Sequence, residues 1–333
     1  MAEQSWDAQY TAQDTLKALG PDGQLMDFAN TLDERLPILA DAQFYPANDA
    51  MSHRDLREVS LPTPQVVALG DGWASSKNEF SPYTEGMGIY KDRIQVAKDI
   101  TKISPNPGRE RSKREARHME GFNQGVSNDL LNSTNVTDPE KIRGLTLRYP
   151  TLATNGVYNV GGSGSALTSA WMIQWGEDLT HLIYPKNHPH IGVNIEDMGL
   201  QFVTTETPTG GSATGSIKKR WDYVTELEWW LGWNIKDQRS TKRVCNIPTN
   251  LYSGGLTDTL IKKIIEARNA YRTSGTVFVY VSETTYNALD FLAMDKNNVR
   301  YSNDNPWGRE IMMIRDMPIR KWDSITDTET ALA

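Results

Sequence analysis

Gly70-Asp71-Gly72-Trp73-Ala74-Ser75-Ser76-Lys77 is a polar, glycine-bearing turn with one aromatic near its centre. On its N-terminal side Val59, Leu61, Val66, Val67 and Leu69 make a strand-like stretch that Pro62 and Pro64 interrupt. On its C-terminal side Met87, Ile89, Ile94, Val96 and Ile100 make a return. The pattern predicts a long two-stranded ribbon within residues 50–103. An isolated hairpin of this kind is marginally stable at best in water. The prolines suit exposed or edge strands, where no ladder hydrogen bond is lost. Such a ribbon is expected to order only against something outside itself.

Around the ribbon the chain changes character. Ser104-Pro105-Asn106-Pro107-Gly108 opens a helix predicted over residues 109–131, the longest in the sequence. Its first half is charged, with Glu110–Arg114 and Arg111–Glu115 at helical spacing, as a solvated helix face would be. Met119, Phe122, Val126 and Leu130 form its buried stripe. Before the ribbon, residues 5–34 read as two short amphipathic helices, capped by Ser5 and separated by Gly20-Pro21. Neither is long enough to stand alone in water, so they read as an arm that docks elsewhere. After residue 138 the chain is mixed. Strands are expected at 169–175, 199–205, 219–229, 276–281, 311–314 and 318–322, and helices at 256–272 and 283–294. Leu260, Ile261, Ile264, Ala267 and Tyr271 line one side of the first of these helices.

The whole chain has 333 residues and a formal charge of −7, which argues against a dedicated nucleic-acid binder. Mean hydropathy is −0.55 and the longest clean apolar run is Val277–Val281, far below the ~20 residues of a spanning helix. No membrane partner and no secretory leader are expected. The single cysteine, Cys245, excludes a disulfide framework within the chain and a multi-cysteine zinc site. At 38% the apolar fraction is lean for a compact two-domain enzyme, so part of the burial is expected to come from neighbouring chains.

Four stretches carry residue types that could support chemistry. Trp221-Asp222-Tyr223-Val224-Thr225-Glu226-Leu227-Glu228-Trp229-Trp230-Leu231-Gly232-Trp233 offers aromatic platforms beside carboxylates. A carbohydrate-active enzyme could use Trp221, Trp229, Trp230 or Trp233 with Glu226 or Glu228. The bland reading is a period-2 strand, with Trp221, Tyr223, Thr225, Leu227 and Trp229 on one face and Asp222, Glu226 and Glu228 on the other. Gly161-Gly162-Ser163-Gly164 completes neither phosphate-binding signature and reads as a turn. His181, His188 and His190 lie around a proline-broken loop without metal-ligand spacing. Cys245 sits among Val244 and Ile247 and reads as a buried, inert thiol. No catalytic, cofactor-binding or metal residue is expected, and no cofactor.

Several ordered segments carry a resemblance. His53-Arg54 precedes Leu61-Pro62-Thr63 and the Gly70–Lys77 turn. Asp138-Pro139-Glu140-Lys141-Ile142-Arg143-Gly144-Leu145, Arg148-Tyr149 and Gly161-Gly162-Ser163-Gly164 follow. Then come Thr168-Ser169-Ala170-Trp171, Gln174-Trp175-Gly176, Ile183-Tyr184-Pro185-Lys186, Asp197-Met198-Gly199, Trp230-Leu231-Gly232-Trp233, Asp237-Gln238-Arg239 and Arg243-Val244-Cys245-Asn246-Ile247. This succession resembles the major capsid proteins of short-tailed phages of the epsilon15 kind. Met317-Pro318-Ile319-Arg320-Lys321-Trp322-Asp323-Ser324-Ile325 is similar to the closing strand and turn of tailed-phage capsid proteins.

The resemblance implies an α+β, Hong Kong 97-like capsid fold. Its parts would be an N-terminal arm (1–49), an extended hairpin or E-loop (50–103), a peripheral domain with the spine helix (104–145), an axial domain with inserted strands (146–305), and returning C-terminal strands (306–333). It implies a structural subunit, not an enzyme, that self-assembles into hexamers and pentamers of an icosahedral shell in the virion, put together in the host cytoplasm. The implied partners are other copies of the chain, a portal, scaffold or decoration proteins, and double-stranded DNA enclosed without sequence-specific binding. A non-viral encapsulating shell would share the fold. Trp73 and Lys77, at the ribbon tip, are the expected intersubunit contact residues.

Overall fold

A computed structural model describes residues 36–99, 107–187, 191–207, 216–251, 257–272, 275–294 and 312–333. The two helices expected within residues 5–34, together with His188 and His190, lie outside these residues. The chain divides into two compact units.

The first unit contains Ile89–Gly125 and Gly192–Trp229. Its long ribbon pairs β8 (Asn194–Thr207) with β9 (Ser216–Ile235), antiparallel from Asn194↔Glu228 to Thr207↔Ser216. β4 (Gly88–Ala97) lies on the other edge of β9. The helix α2 (Pro107–Asn132) has 26 residues, about 39 Å at 1.5 Å per residue. Met119 and Phe122 on α2 pack with Val193 onto Ile94, Val96 and Leu227. The charged first half of α2 is less solvated than its sequence suggests. Arg111 donates to Glu115 at 2.8 Å, reaches Thr225 on β9 at 2.8 Å, and pairs with Asp197 on β8. Arg114 is buried.

Burial along β9 departs from simple alternation. Asp222 and Val224 are buried at one end; Thr225, Leu227, Trp229, Leu231 and Trp233 are buried from there on. Trp221, expected on the same face as Trp229, is therefore exposed, and Asp222 is fully enclosed against Arg220 Nε at 2.8 Å. The change of face at Val224–Thr225 lies opposite a bulge in β8, where Thr225 pairs with Asp197 but Val224 pairs with Gly199. A bulge adds a residue to one strand and increases the local twist, which period-2 counting on the partner strand does not register.

The second unit contains Glu34–Gly88, Val126–Ile191 and Trp230–Ala333. Its main sheet has the order β12-β13-β11-β6-β10-β5. These strands are β5 (Val157–Asn159), β6 (Leu167–Gln174), β10 (Thr241–Pro248), β11 (Val277–Val281), β12 (Met313–Ile314) and β13 (Met317–Lys321). Every residue of β6 is buried, as a central strand covered on both faces requires. α4 (Thr257–Asn269) buries Leu260, Ile261, Ile264 and Ala267, and α5 (Glu283–Met294) buries Ala288 and Leu289, all in one core cluster with β6, β10 and β11. Two short helices, α1 (Pro37–Asp41) and α3 (Leu145–Arg148), complete the set among the described residues.

A second sheet runs β1 (Phe44–Pro46), β7 (Thr180–Tyr184), then the C-terminal end of β9, with Ile183 opposite Gly232. Gly232 is obligatory there, since a Cβ would stand 2.8 Å from the Gly86 carbonyl oxygen. Two tryptophans hold the last turns of α2: Trp233 Nε1 donates to the Leu130 carbonyl at 2.9 Å and Trp322 Nε1 to Ser127 Oγ at 2.7 Å.

The hairpin exists, but its strands are not those the sequence predicts. β2 (Ser52–Ser60) pairs antiparallel with β3 (Glu79–Gly86), from Ser52↔Gly86 to Ser60↔Glu79. Residues 61–78 contain no strand, and residues 88–97 leave the hairpin to become β4. Pro62 and Pro64 end the outgoing strand early, while Ile94 and Val96 have a core to join. The more enclosed residues of β2 are His53, Asp55 and Arg57, so hydrophobic alternation does not reveal it.

Candidate functional site

The base of the hairpin is held by polar contacts. The Arg57 guanidinium stacks 3.8 Å over the Tyr83 ring and donates to the carbonyls of Ile235 and Lys236. Tyr83 donates to Asn234 Oδ1 at 2.9 Å, and burial pushes its pKa up to about 12. Glu85 accepts a two-pronged grip from Arg148, at 2.6 and 2.7 Å. His53 lies edge-on to His181, whose Nε2 accepts from Asn234 at 3.2 Å. Burial lowers the pKa of both histidines.

The tip has no such hold. Leu61, Val66 and Leu69 are exposed, and so is Trp73, with 77% of its surface open. Lys77 is exposed in the same loop. The loop thus presents exposed apolar side chains on a clamped stem. In the other unit, Ile195, Phe202 and Trp221 are also exposed on the β8–β9 ribbon, the last two rings 5.3 Å apart.

The carboxylates of the tryptophan-rich strand, Cys245 and the glycine turn have structural roles. Glu226 pairs with Arg93, and Glu228 with Lys91 at 2.8 Å, both partners on β4. The carboxylates thus tie two strands together. Cys245 is fully buried and burial raises its thiol to about 11, far from a reactive thiolate. Gly161 and Gly164 have φ of 103° and 101°, and a Cβ on Gly162 would lie 2.5 Å from the Asn246 carbonyl, so the glycines make the tight turn between β5 and β6. Among the described residues no three His, Cys, Asp or Glu side chains stand close enough to hold a metal ion, and no helix is long and apolar enough to cross a membrane.

Residues 20–333 match the family model described as major capsid protein GP7. The chain belongs to that family. The fold agrees: the bacteriophage epsilon15 structure superposes with a TM-score of 0.74 at 23% identity, covering 99% of each chain. The bacteriophage JBD30 capsid is more distant, with a TM-score of 0.47 and 12% identity over 90% of this chain and 95% of that one. The holo-SrpI encapsulin complex from Synechococcus elongatus PCC 7942 gives 0.44 and 10% over 72% and 96%. No curated protein matches.

This major capsid protein has the Hong Kong 97-like, α+β fold that its sequence resembles, and it is a structural subunit that self-assembles into the capsid shell of a virion. It is not an enzyme, and the carbohydrate-active reading of the tryptophan-rich strand is not supported. The hairpin-base residues Arg57, Tyr83, Glu85 and Arg148 were not found from sequence. They are separated by up to 91 positions, and the only signal they leave is charge on a strand too polar to be recognised.

Proposed function

We propose that this capsid protein forms hexamers and pentamers of an icosahedral shell around double-stranded DNA, assembled in the host cytoplasm together with a portal and with scaffold or decoration proteins. In this assignment β2–β3 with its loop is the E-loop, α2 is the spine, and the six-stranded sheet with α4 and α5 is the axial domain. The observation that carries the reading is the contrast within the hairpin, a stem fixed by Arg57, Tyr83 and Glu85 and a bare tip bearing Trp73 and Lys77. Buried aromatics dominate many interfaces, so Trp73 is the natural anchor in a neighbouring subunit, with Lys77 beside it. An acidic chain, at −7, suits a container whose DNA is held by confinement instead of tight phosphate contacts. Negative-stain microscopy of the expressed protein should show uniform shells. Extracted native particles should contain double-stranded DNA; protein cargo in its place would favour the encapsulating compartment, and absence of any shell would remove both.

A further inference from the structure

Beside the hairpin stem lies a cavity of about 110 Å³ whose lining includes Arg57, Glu85, Arg143, Arg148, Tyr149 and Asn155. Three guanidinium groups face one carboxylate. Glu85 is consumed by Arg148: the two make a forked pair at 2.6 and 2.7 Å, with side chains only 9% and 8% exposed. Arg57 is fixed by two carbonyls and the Tyr83 ring, none of which carries a neutralising charge. Arg143 makes no side-chain hydrogen bond or ion pair among the described residues. Its side chain keeps an exposed part, and its pKa is pulled down by partial desolvation and by the like charges of Arg148 and Arg57, against the opposing pull of Glu85. Clustering arginines at this cost, with two positive charges left over, is what a site for an anion looks like when the anion is absent from the chain itself.

We propose that Arg57 and Arg143, organised by the Arg148–Glu85 pair, form a binding site for an oxyanion of the carboxylate or phosphate class at the root of the hairpin. Arg is suited to this because its planar donors match two oxygens at once. The cavity has room for a small oxyanion and accompanying water. Arg57 belongs to the hairpin and Arg143 to the segment after α2, so a bound oxyanion would cross-link the stem to the segment it leans on. The occupant has two sources of the same chemistry, an acidic side chain of a neighbouring copy or a free anion. The site is a property of the single chain and does not depend on what the shell encloses.

The test uses inorganic phosphate and the full-length unassembled subunit, followed by calorimetry at constant ionic strength. Saturable binding is expected, weakened about tenfold or more in Arg143→Gln, the loss of one charge-assisted contact, and partly restored in Arg143→Lys. Arg143 holds no described partner, so both variants should keep the native circular dichroism spectrum. No saturable binding to the wild-type subunit, or equal affinity in Arg143→Gln, overturns the proposal. Repeating the titration on intact shells separates the sources: phosphate excluded from the site identifies a neighbour's carboxylate, and phosphate still bound identifies a free anion.

Discussion

Lys242 lies on β10 with 3% of its surface exposed and no carboxylate partner among the described residues; its ammonium rests 4.6 Å from the Tyr271 ring centre and 5.7 Å from that of Tyr158. Burial lowers its pKa from 10.5 to about 8. The unfolded chain therefore holds this proton more tightly than the folded one. Stability should rise with pH across the window from about 8 to 10.5 and carry a penalty below it. Lys242→Met is expected to abolish this rise and to stabilise the unassembled subunit at neutral pH by on the order of 1 kcal/mol, read by urea unfolding across that window. The neighbouring Arg243 is the opposite case, a buried cation fully engaged by Glu329 at 3.0 Å, Ser169 at 3.0 Å and the Tyr149 carbonyl at 2.9 Å. Glu226 and Glu228 are partly exposed strand-to-strand pairs. Glu226→Gln with Glu228→Gln should change stability by no more than about 1 kcal/mol and leave shell yield intact. A glycosidase activity lost in that double variant would contradict the structural reading.

Among the elements, the hairpin shows how one local feature divides into parts with different fates. Its stem is locked to Asn234, Ile235 and Arg148, while residues 61–78 have no ladder and are exposed throughout. Lys91 is exposed like Lys77, but its backbone is held in β4 and its ammonium pairs with Glu228 at 2.8 Å. Trypsin should therefore cut the unassembled subunit at Lys77 well before Lys91, and intact shells should resist at Lys77. Equal cleavage at Lys77 in subunit and shell would mean that the tip makes no protective contact with a neighbour. The long helix is also divided. Its first half takes part in charged contacts with β8 and β9 through Arg111, and its last turns are pinned by Trp233 and Trp322.

For the molecule as an assembling unit, the exposed apolar surface is concentrated in the hairpin loop and on the β8–β9 ribbon. Trp73 is 77% exposed in the isolated chain, so Trp73→Ala should leave the subunit's unfolding midpoint nearly unchanged. If Trp73 is an interface anchor, the subunit concentration required for assembly should increase by about tenfold or more, followed by light scattering. An unchanged assembly threshold would place the anchor elsewhere.

What was legible from sequence is what neighbours along the chain enforce on one another. The stripe Leu260, Ile261, Ile264 and Ala267 predicts α4 because a helix returns to the same face every 3.6 residues, and all four are buried. The run Val277–Val281, the helix at Glu283–Met294, the glycine turn at 161–164 and the inert Cys245 are local in the same sense. The ordered motifs added the family, and with it the kind of fold. What had to wait for the three-dimensional structure depends on partners far away in the chain. β10 carries Lys242 and Arg243 into a core because Glu329 and two tyrosine rings meet them there. β2 is a strand although its enclosed residues are polar, because Arg148 and Asn234 receive its hairpin. β9 changes its buried face because β8 bulges opposite it. Arg57, Arg143 and Arg148 become one positive pocket only when the hairpin lies against the segment following α2. Periodicity reports which side of an element is apolar; it carries no record of which distant charge, ring or bulge that element will meet.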